Sequence, residues 1–313
     1  MNRESQSLSP AAVGDVARPP IALVAPWLFV LLWSTGFIGA RFGLPYIEPF
    51  TFLAIRFVIA AALLGLIAAV ARSPWPRPAQ LGHIAVAGLL LHAGYLGGVF
   101  FAIDRGMTAG MTALIVSLQP ALTALLARRT LGERISERQW SGLALGLLGV
   151  CLVVGEKMSG SAALVVTPAT LVACLVALVS TTLGTLYQKR HGATMPLLSG
   201  TAVQYVAAGA LLAPMALLFE TRTILWTPQL LFALVWLVLV LSLGAILLLL
   251  LLLRLNSASS VASLFYLVPP ATAVEAFLLF GERLGTQALV GLAVASFGVA
   301  LVVTGGQGDK VRG

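Results

Sequence analysis

The chain is 313 residues long, 59% apolar and only 10% charged, with a net charge of +8 and a mean hydropathy of +1.00. A water-soluble domain carries about 25% charged residues, so this composition excludes one and requires lipid to cover most of the surface. The basic residues lie scattered between apolar runs and form no stripe or basic helix, which argues against a nucleic-acid partner.

Residues 1–20, MNRESQSLSPAAVGDVARPP, are polar and proline-containing and predict a disordered cytosolic tail. A bilayer-crossing helix needs about 20 mostly apolar residues, because its backbone groups must be satisfied internally. Breaks at charges and at Pro/Gly clusters give ten such spans: 22–42, 50–71, 80–103, 107–127, 137–155, 168–188, 196–219, 228–253, 257–281 and 286–304. Their connections are too short to hold a soluble domain, and residues 305–313 predict a second cytosolic tail. Cys151 and Cys174 fall inside spans without metal-site spacing and read as small core residues. No metal or other cofactor is expected.

Several spans carry polar or aromatic groups at depth, where lipid offers no partner. Span one holds Trp33, Ser34 and Thr35; span three holds His92, with Tyr95 one turn on and on the same face. Span four holds Gln119, span seven Gln204 and Tyr205, and span nine Tyr266. Trp33, His92, Tyr95, Gln119 and Tyr266 are the candidate lining of a midplane substrate pathway, with ordinary interhelical hydrogen bonding as the alternative. Two charges also lie within spans. Arg56 and Glu275 each sit about six residues, or ~9 Å, inside the same end of spans two and nine. They read as a fixed salt bridge between halves, as a gating or proton-coupling pair, or as snorkelling residues.

Orientation follows from Lys and Arg. With the N-terminus inside, thirteen of the 19 basic residues fall on inner segments and five on outer loops, which predicts two cytoplasmic termini. Sliding the chain on itself by 149 residues then matches 105–155 with 254–304 without a gap, at 19 identities in 51 positions. Pro120 falls on Pro269, Gly132-Glu133-Arg134 on Gly281-Glu282-Arg283, and Gly149-Val150 on Gly298-Val299. Five spans per repeat is an odd number, so the second copy must be inverted. The predicted fold class is an all-α integral membrane protein of ten transmembrane helices in two inverted five-helix repeats, 21–155 and 165–304. Inverted repeats with a midplane site are a recurrent transporter architecture. Gly142-x-x-x-Gly146 with Gly149, and Gly291-x-x-x-Ala295 with Gly298, predict close packing of spans five and ten. In the LGER turn, Gly132 is expected to end one helix and Glu133 to favour the start of the next.

The segments LLWSTGF (31–37) and AIRF (54–57), and the run from Pro120 through LGERIS to WSGLALGLLGV, resemble the EamA family of the drug/metabolite transporter superfamily. The second copy, from Pro269 through FGERL to GLAVASFGVALVV, resembles it again, and the likeness covers residues 25–304. Two departures stand out: Pro269-Pro270 doubles the usual single proline, and span eight is a leucine run of few features. The resemblance implies secondary transport of small metabolites, among them amino acids, amines, sugars, nucleotide derivatives or drugs. His92-x-x-Tyr95 is similar to the aromatic-and-His cavity linings of EamA-like amino-acid exporters. A multi-pass protein of the bacterial inner membrane is expected, working as a monomer, most readily in export of an amino acid, amine or hydrophobic metabolite. A uniporter or channel-like facilitator is the nearest alternative. An intramembrane enzyme would need a motif such as H-E-x-x-H or G-x-S-x-G, and neither is present.

Overall fold

Proline marks where many of the helices begin. Pro49, Pro78, Pro168 and Pro228 each stand at the first position, where a missing N–H leaves no bond unmade. Thr167, Thr227 and Ser257 add side-chain caps that accept the third amide of their helices. A computed structural model of the chain describes residues 20–107, 112, 115–158, 166–280 and 285–308. Over these residues it runs as ten helical rods without a β-strand. They are α1 Pro20–Gly43, α2 Pro49–Val70, α3 Pro78–Asp104, α4 Gln119–Thr130 and α5 Glu137–Met158. The second set is α6 Pro168–His191, α7 Leu197–Phe219, α8 Pro228–Leu255, α9 over residues 258–280 and α10 Thr286–Gly308. Length and composition let α2, α3, α6, α7 and α8 cross a membrane, while α1 and α10 contain shorter apolar stretches at Val24–Gly36 and Leu289–Thr304.

Two prolines break the regular pattern. A turn at 117–118 precedes Pro120, and a 3-10 turn at Leu264–Leu267 divides α9 just before Pro269. Each ring removes one donor and crowds the carbonyl four residues back, so the α-helix yields there. Two other helices are interrupted without proline. A π-turn runs over Leu89–Gly94 in α3 and over Leu237–Ala245 in α8. π-turns widen a helix locally and frequently mark functional sites.

The rods pair by small residues and stacked rings, because lipid supplies no hydrophobic drive between helices. α5 and α10 run antiparallel along the predicted glycine seam. A Cβ on Gly142 would stand 2.6 Å from the Gly298 carbonyl oxygen, and one on Gly149 would stand 2.6 Å from that of Gly291. α2 and α7 also run antiparallel, with Phe57 and Tyr205 stacked at 5.3 Å. Further neighbours come in matched sets: α1 packs on α9 and α8, α6 packs on α4 and α3, α2 meets α8, and α7 meets α3. Exchanging the first five helices for the second five maps this list onto itself.

Carboxylates tie the ends. Both oxygens of Glu220, just past α7, accept at 2.7 Å from the backbone N–H groups of Phe50 and Thr51 at the start of α2. Glu48, just before α2, returns the tie by accepting from Arg222 N at 2.7 Å and the Thr221 hydroxyl at 2.9 Å. At the other end Glu133 accepts from Ala258 N at 2.7 Å and from the Ser259 hydroxyl at 2.6 Å. Its partner is thus the N-terminus of α9, in the other half of the chain, and not the start of the next helix as expected from the sequence. Gly132 does turn the chain, at φ +67°, where a side chain would be strained. Cys174 is core as expected, but Cys151 is exposed on α5 because it faces away from the α10 seam. The repeat copy Gly281-Glu282-Arg283 and the tails at 1–19 and 309–313 lie outside the described residues.

Candidate functional site

A cleft opens among α1, α2, α3 and α8, walled by Trp33, Tyr95, Phe100, Leu241 and Ile246 around Arg56. Its polar chemistry comes from the α8 π-turn. Ser242 sits within that turn, and Arg56 Nε donates to its hydroxyl at 2.9 Å. The Tyr205 hydroxyl donates to the Ser242 carbonyl at 2.7 Å. A π-turn frees a carbonyl from the usual ladder, so the same residue can hold a cation and a phenol at once. Arg56 is only 4% exposed, and none of the described carboxylates lies within 4 Å of it. A cation buried in a span costs at least ~2.5–3.5 kcal/mol by insertion scales, and the cost stands unless an anion answers it.

Aromatic rings fix the walls. Trp33 stacks on Tyr95 with centroids 6.3 Å apart and meets Phe265 edge-on at 5.1 Å. The cleft is therefore a flat apolar slot with one guanidinium in it.

The α3 π-turn presents His92 in the corresponding place. Its ring lies 4.6 Å from that of Tyr205 and 6.0 Å from that of Phe57, fully buried. His92 Nε2 faces Gln204 Oε1 at 3.4 Å, and Gln204 Nε2 donates to Gln188 Oε1 at 2.8 Å. A Cβ on Gly88 would stand 2.5 Å from the Gln204 carbonyl oxygen, so glycine is what lets α3 and α7 approach here.

Of the five predicted pathway residues, Trp33 and Tyr95 line the cleft and Arg56 joins them. His92 lies behind Phe57. Gln119 is buried at the α4–α6 contact, its Nε2 3.4 Å from the Thr185 hydroxyl and its Oε1 without a partner among the described residues. Tyr266 is buried against Gly146 of α5. Arg56 and Glu275 form no ion pair in this conformation, each having a serine hydroxyl as its partner. Glu275 Oε1 lies 2.5 Å from the Ser34 hydroxyl, and its Oε2 is buried without a partner among the described residues. Sequence reasoning missed Ser242, although it is the one hydroxyl in the apolar run 228–255 after Gln229.

Comparison with known proteins adds the family. The profile of the EamA-like transporter family matches residues 21–155 and again 168–304. A protein named "Probable amino-acid metabolite efflux pump" in Escherichia coli (strain K12) is 31% identical over 133 residues, a stretch covering 42% of this chain and 42% of that protein. A "Probable terminal-alkyne amino-acid exporter" of Streptantibioticus cattleyicolor is 30% identical over 88% of this chain and 91% of its own length. A solved crystal structure superposes with a TM-score of 0.74 at 22% identity, covering 91% of this chain and 97% of its own, and shares the fold.

Proposed function

This chain belongs to the EamA-like transporter family, and from that premise we propose that it exports amino acids or related amphipathic carboxylates. One observation carries the reading: a buried guanidinium, Arg56, stands in an aromatic-walled cleft with no described carboxylate beside it. A solute carboxylate would complete the guanidinium with a charge-assisted bond, while its apolar part lies between Trp33, Tyr95 and Phe100. A simple amine would meet Arg56 as a like charge and is disfavoured. The names of the two relatives, one an amino-acid metabolite efflux pump and the other a terminal-alkyne amino-acid exporter by description, point the same way.

The mechanism we assign is alternating access between two inverted five-helix halves, with ten spans in the bacterial inner membrane, one chain per unit. Equivalent helices running antiparallel, α5 against α10 and α2 against α7, support the inversion. The thirteen-to-five basic asymmetry supports cytoplasmic termini, which puts the Glu48–Glu220 end outside. The cleft then opens on the outer half. His92, Gln119 and Tyr266 belong to the inner half of the pathway, which is packed shut in this conformation. Glu275, bonded to Ser34 beside Trp33, serves as the gating group that moves with α1.

The test is counterflow in proteoliposomes. Saturable uptake of labelled L-phenylalanine, accelerated by unlabelled amino acid on the other side, is expected; uptake linear in concentration would mean a channel and sink the carrier. In a background free of Cys151 and Cys174, Arg222→Cys should label from outside and Arg134→Cys should not.

A further inference from the structure

A second cavity lies at the opposite end of the bundle from the Arg56 cleft, between the last turns of α6 and α8. Its volume is about 100 Å³, and it is lined by Gln188, Lys189, Gly192, Leu250, Leu253 and Arg254. Its two cations behave differently. Lys189 Nζ donates to the Leu253 and Asn256 carbonyls at 2.6 and 2.5 Å, and so neutralises the carbonyl end of α8. Arg254, in the last turn of that same helix, does no such work. Its Nε and Nη2 are buried and have no hydrogen-bond partner among the described residues.

Those two nitrogens share one edge of the guanidinium plane, where their N–H bonds run side by side. That edge matches the two oxygens of a carboxylate, or two oxygens of a phosphate, in a bidentate pair. Dry donors left unfilled are destabilising, and a cavity with Arg254 and Lys189 in its wall favours an anion. The cavity also connects inward. Gln188 in its wall accepts from Gln204, Gln204 meets His92, and His92 packs on Phe57, the residue after Arg56. A contiguous file of packed side chains, Gln188, Gln204, His92 and Phe57, therefore runs from the cavity wall to the helix that carries Arg56.

We propose that this cavity is an anion site, and that Arg254 receives the solute's carboxylate on the N-terminal (cytosolic) side before the solute passes to Arg56. The assignment of the anion as solute rests on the export reading above. A loading site here gives the carrier one guanidinium at each end of its path. Arg254 takes the solute from the cytosolic face, and Arg56 holds it with the outer half open.

The experiment uses full-length protein in phosphatidylcholine liposomes of known orientation, with L-phenylalanine offered to one face at a time. Arg254→Gln should raise KM at the face of the N-terminus about tenfold, the size of one lost charge-assisted contact, and leave KM at the other face unchanged. Arg254→Lys should recover part of that loss, and inorganic phosphate should compete at the N-terminal face of the wild type but not of Arg254→Gln. Equal changes at both faces, or none, would overturn the proposal. So would an Arg254→Gln effect seen only when phosphatidylglycerol is added, since a lipid phosphate would then own the site. If the wild type moves no L-phenylalanine from either face, the export reading falls. The anion site then stands or falls on whether phosphate raises the melting temperature of the wild type and not of Arg254→Gln.

Discussion

α3 and α8 carry the same interruption, a π-turn near mid-length, and surround it with opposite chemistry. At the α8 turn, Ser242 faces Arg56 of α2 and the space beyond is an open cleft. At the α3 turn, His92 faces Gln204 of α7 and the space beyond is filled by Gln188. Arg56 and Gln204 each stand eighth in their helices, counting from Pro49 and Leu197, so the two contacts are counterparts. A charge keeps one side hungry for an anion, whereas two amides satisfy each other on the other side. The difference between the halves thus lies in which side chain meets the π-turn, and it separates an open cleft from a packed contact.

The largest expected effect comes from making the two sides alike. Arg56→Gln should lower kcat/KM for L-phenylalanine about 100-fold, or ~2.7 kcal/mol, as expected when a charged partner of a carboxylate is lost. The melting temperature should hold or rise, because a buried cation without a carboxylate has been removed. Transport retained at the wild-type level would break the comparison at its centre. Gln204→Leu attacks the other side. It leaves His92 and Gln188 with buried unpartnered atoms, which should destabilise the fold by about 1–3 kcal/mol. A melting temperature unchanged in detergent would mean that the amide pair locks nothing.

Much of this was legible in the chain. The helical rods, the glycine seam of α5 and α10, and Trp33 and Tyr95 as cleft residues follow from hydropathy, spacing and depth, whereas Arg56, expected as a partner of Glu275, lines the cleft instead. Depth alone could not tell which buried polar groups face a cavity. His92 and Gln119 satisfy the same hydropathy criterion as Tyr95, yet each has a neighbouring side chain close enough to fill the space. Cross-half partners were beyond reach for the same reason. Glu133 precedes α5 by four residues but bonds the start of α9, a contact 125 positions away. The π-turns left no signature either, since Leu237–Ala245 reads as one more stretch of a leucine-rich helix. Only Ser242, a lone hydroxyl there, hinted that something faced it.

A smaller effect isolates that hydroxyl. Ser242→Ala removes the acceptor for Arg56 Nε while the carbonyl that holds Tyr205 stays. One hydrogen bond to a charged group is worth ~1.5–3 kcal/mol, but water entering the open cleft takes up the freed N–H, so only a fraction of that is expected. KM for L-phenylalanine should rise a few-fold with kcat nearly unchanged. A loss in kcat equal to that of Arg56→Gln would show that Ser242 does more than aim the guanidinium.

The smallest effect concerns the outer tie, where Glu48 and Glu220 bind each other's neighbours across α2 and α7. Glu48 lies outside the spanning segments. Burial pushes its carboxyl up, but hydrogen bonds from Thr221 and from Arg222 N–H, with the nearby Arg222 charge, outweigh that and hold it below the usual carboxylate range. A carboxyl lowered in the folded state contributes stability above its ordinary value of ~4, and loses it as pH falls through the lower folded value. Acidification from about pH 5 to pH 3 should therefore lower the melting temperature of the wild type slightly more than that of Glu48→Gln. The group is largely solvated, so the difference should be small and should shrink with added salt. Parallel pH profiles for the two proteins would leave the tie to Glu220 alone, and the π-turn contacts as what distinguishes the open half from the closed one.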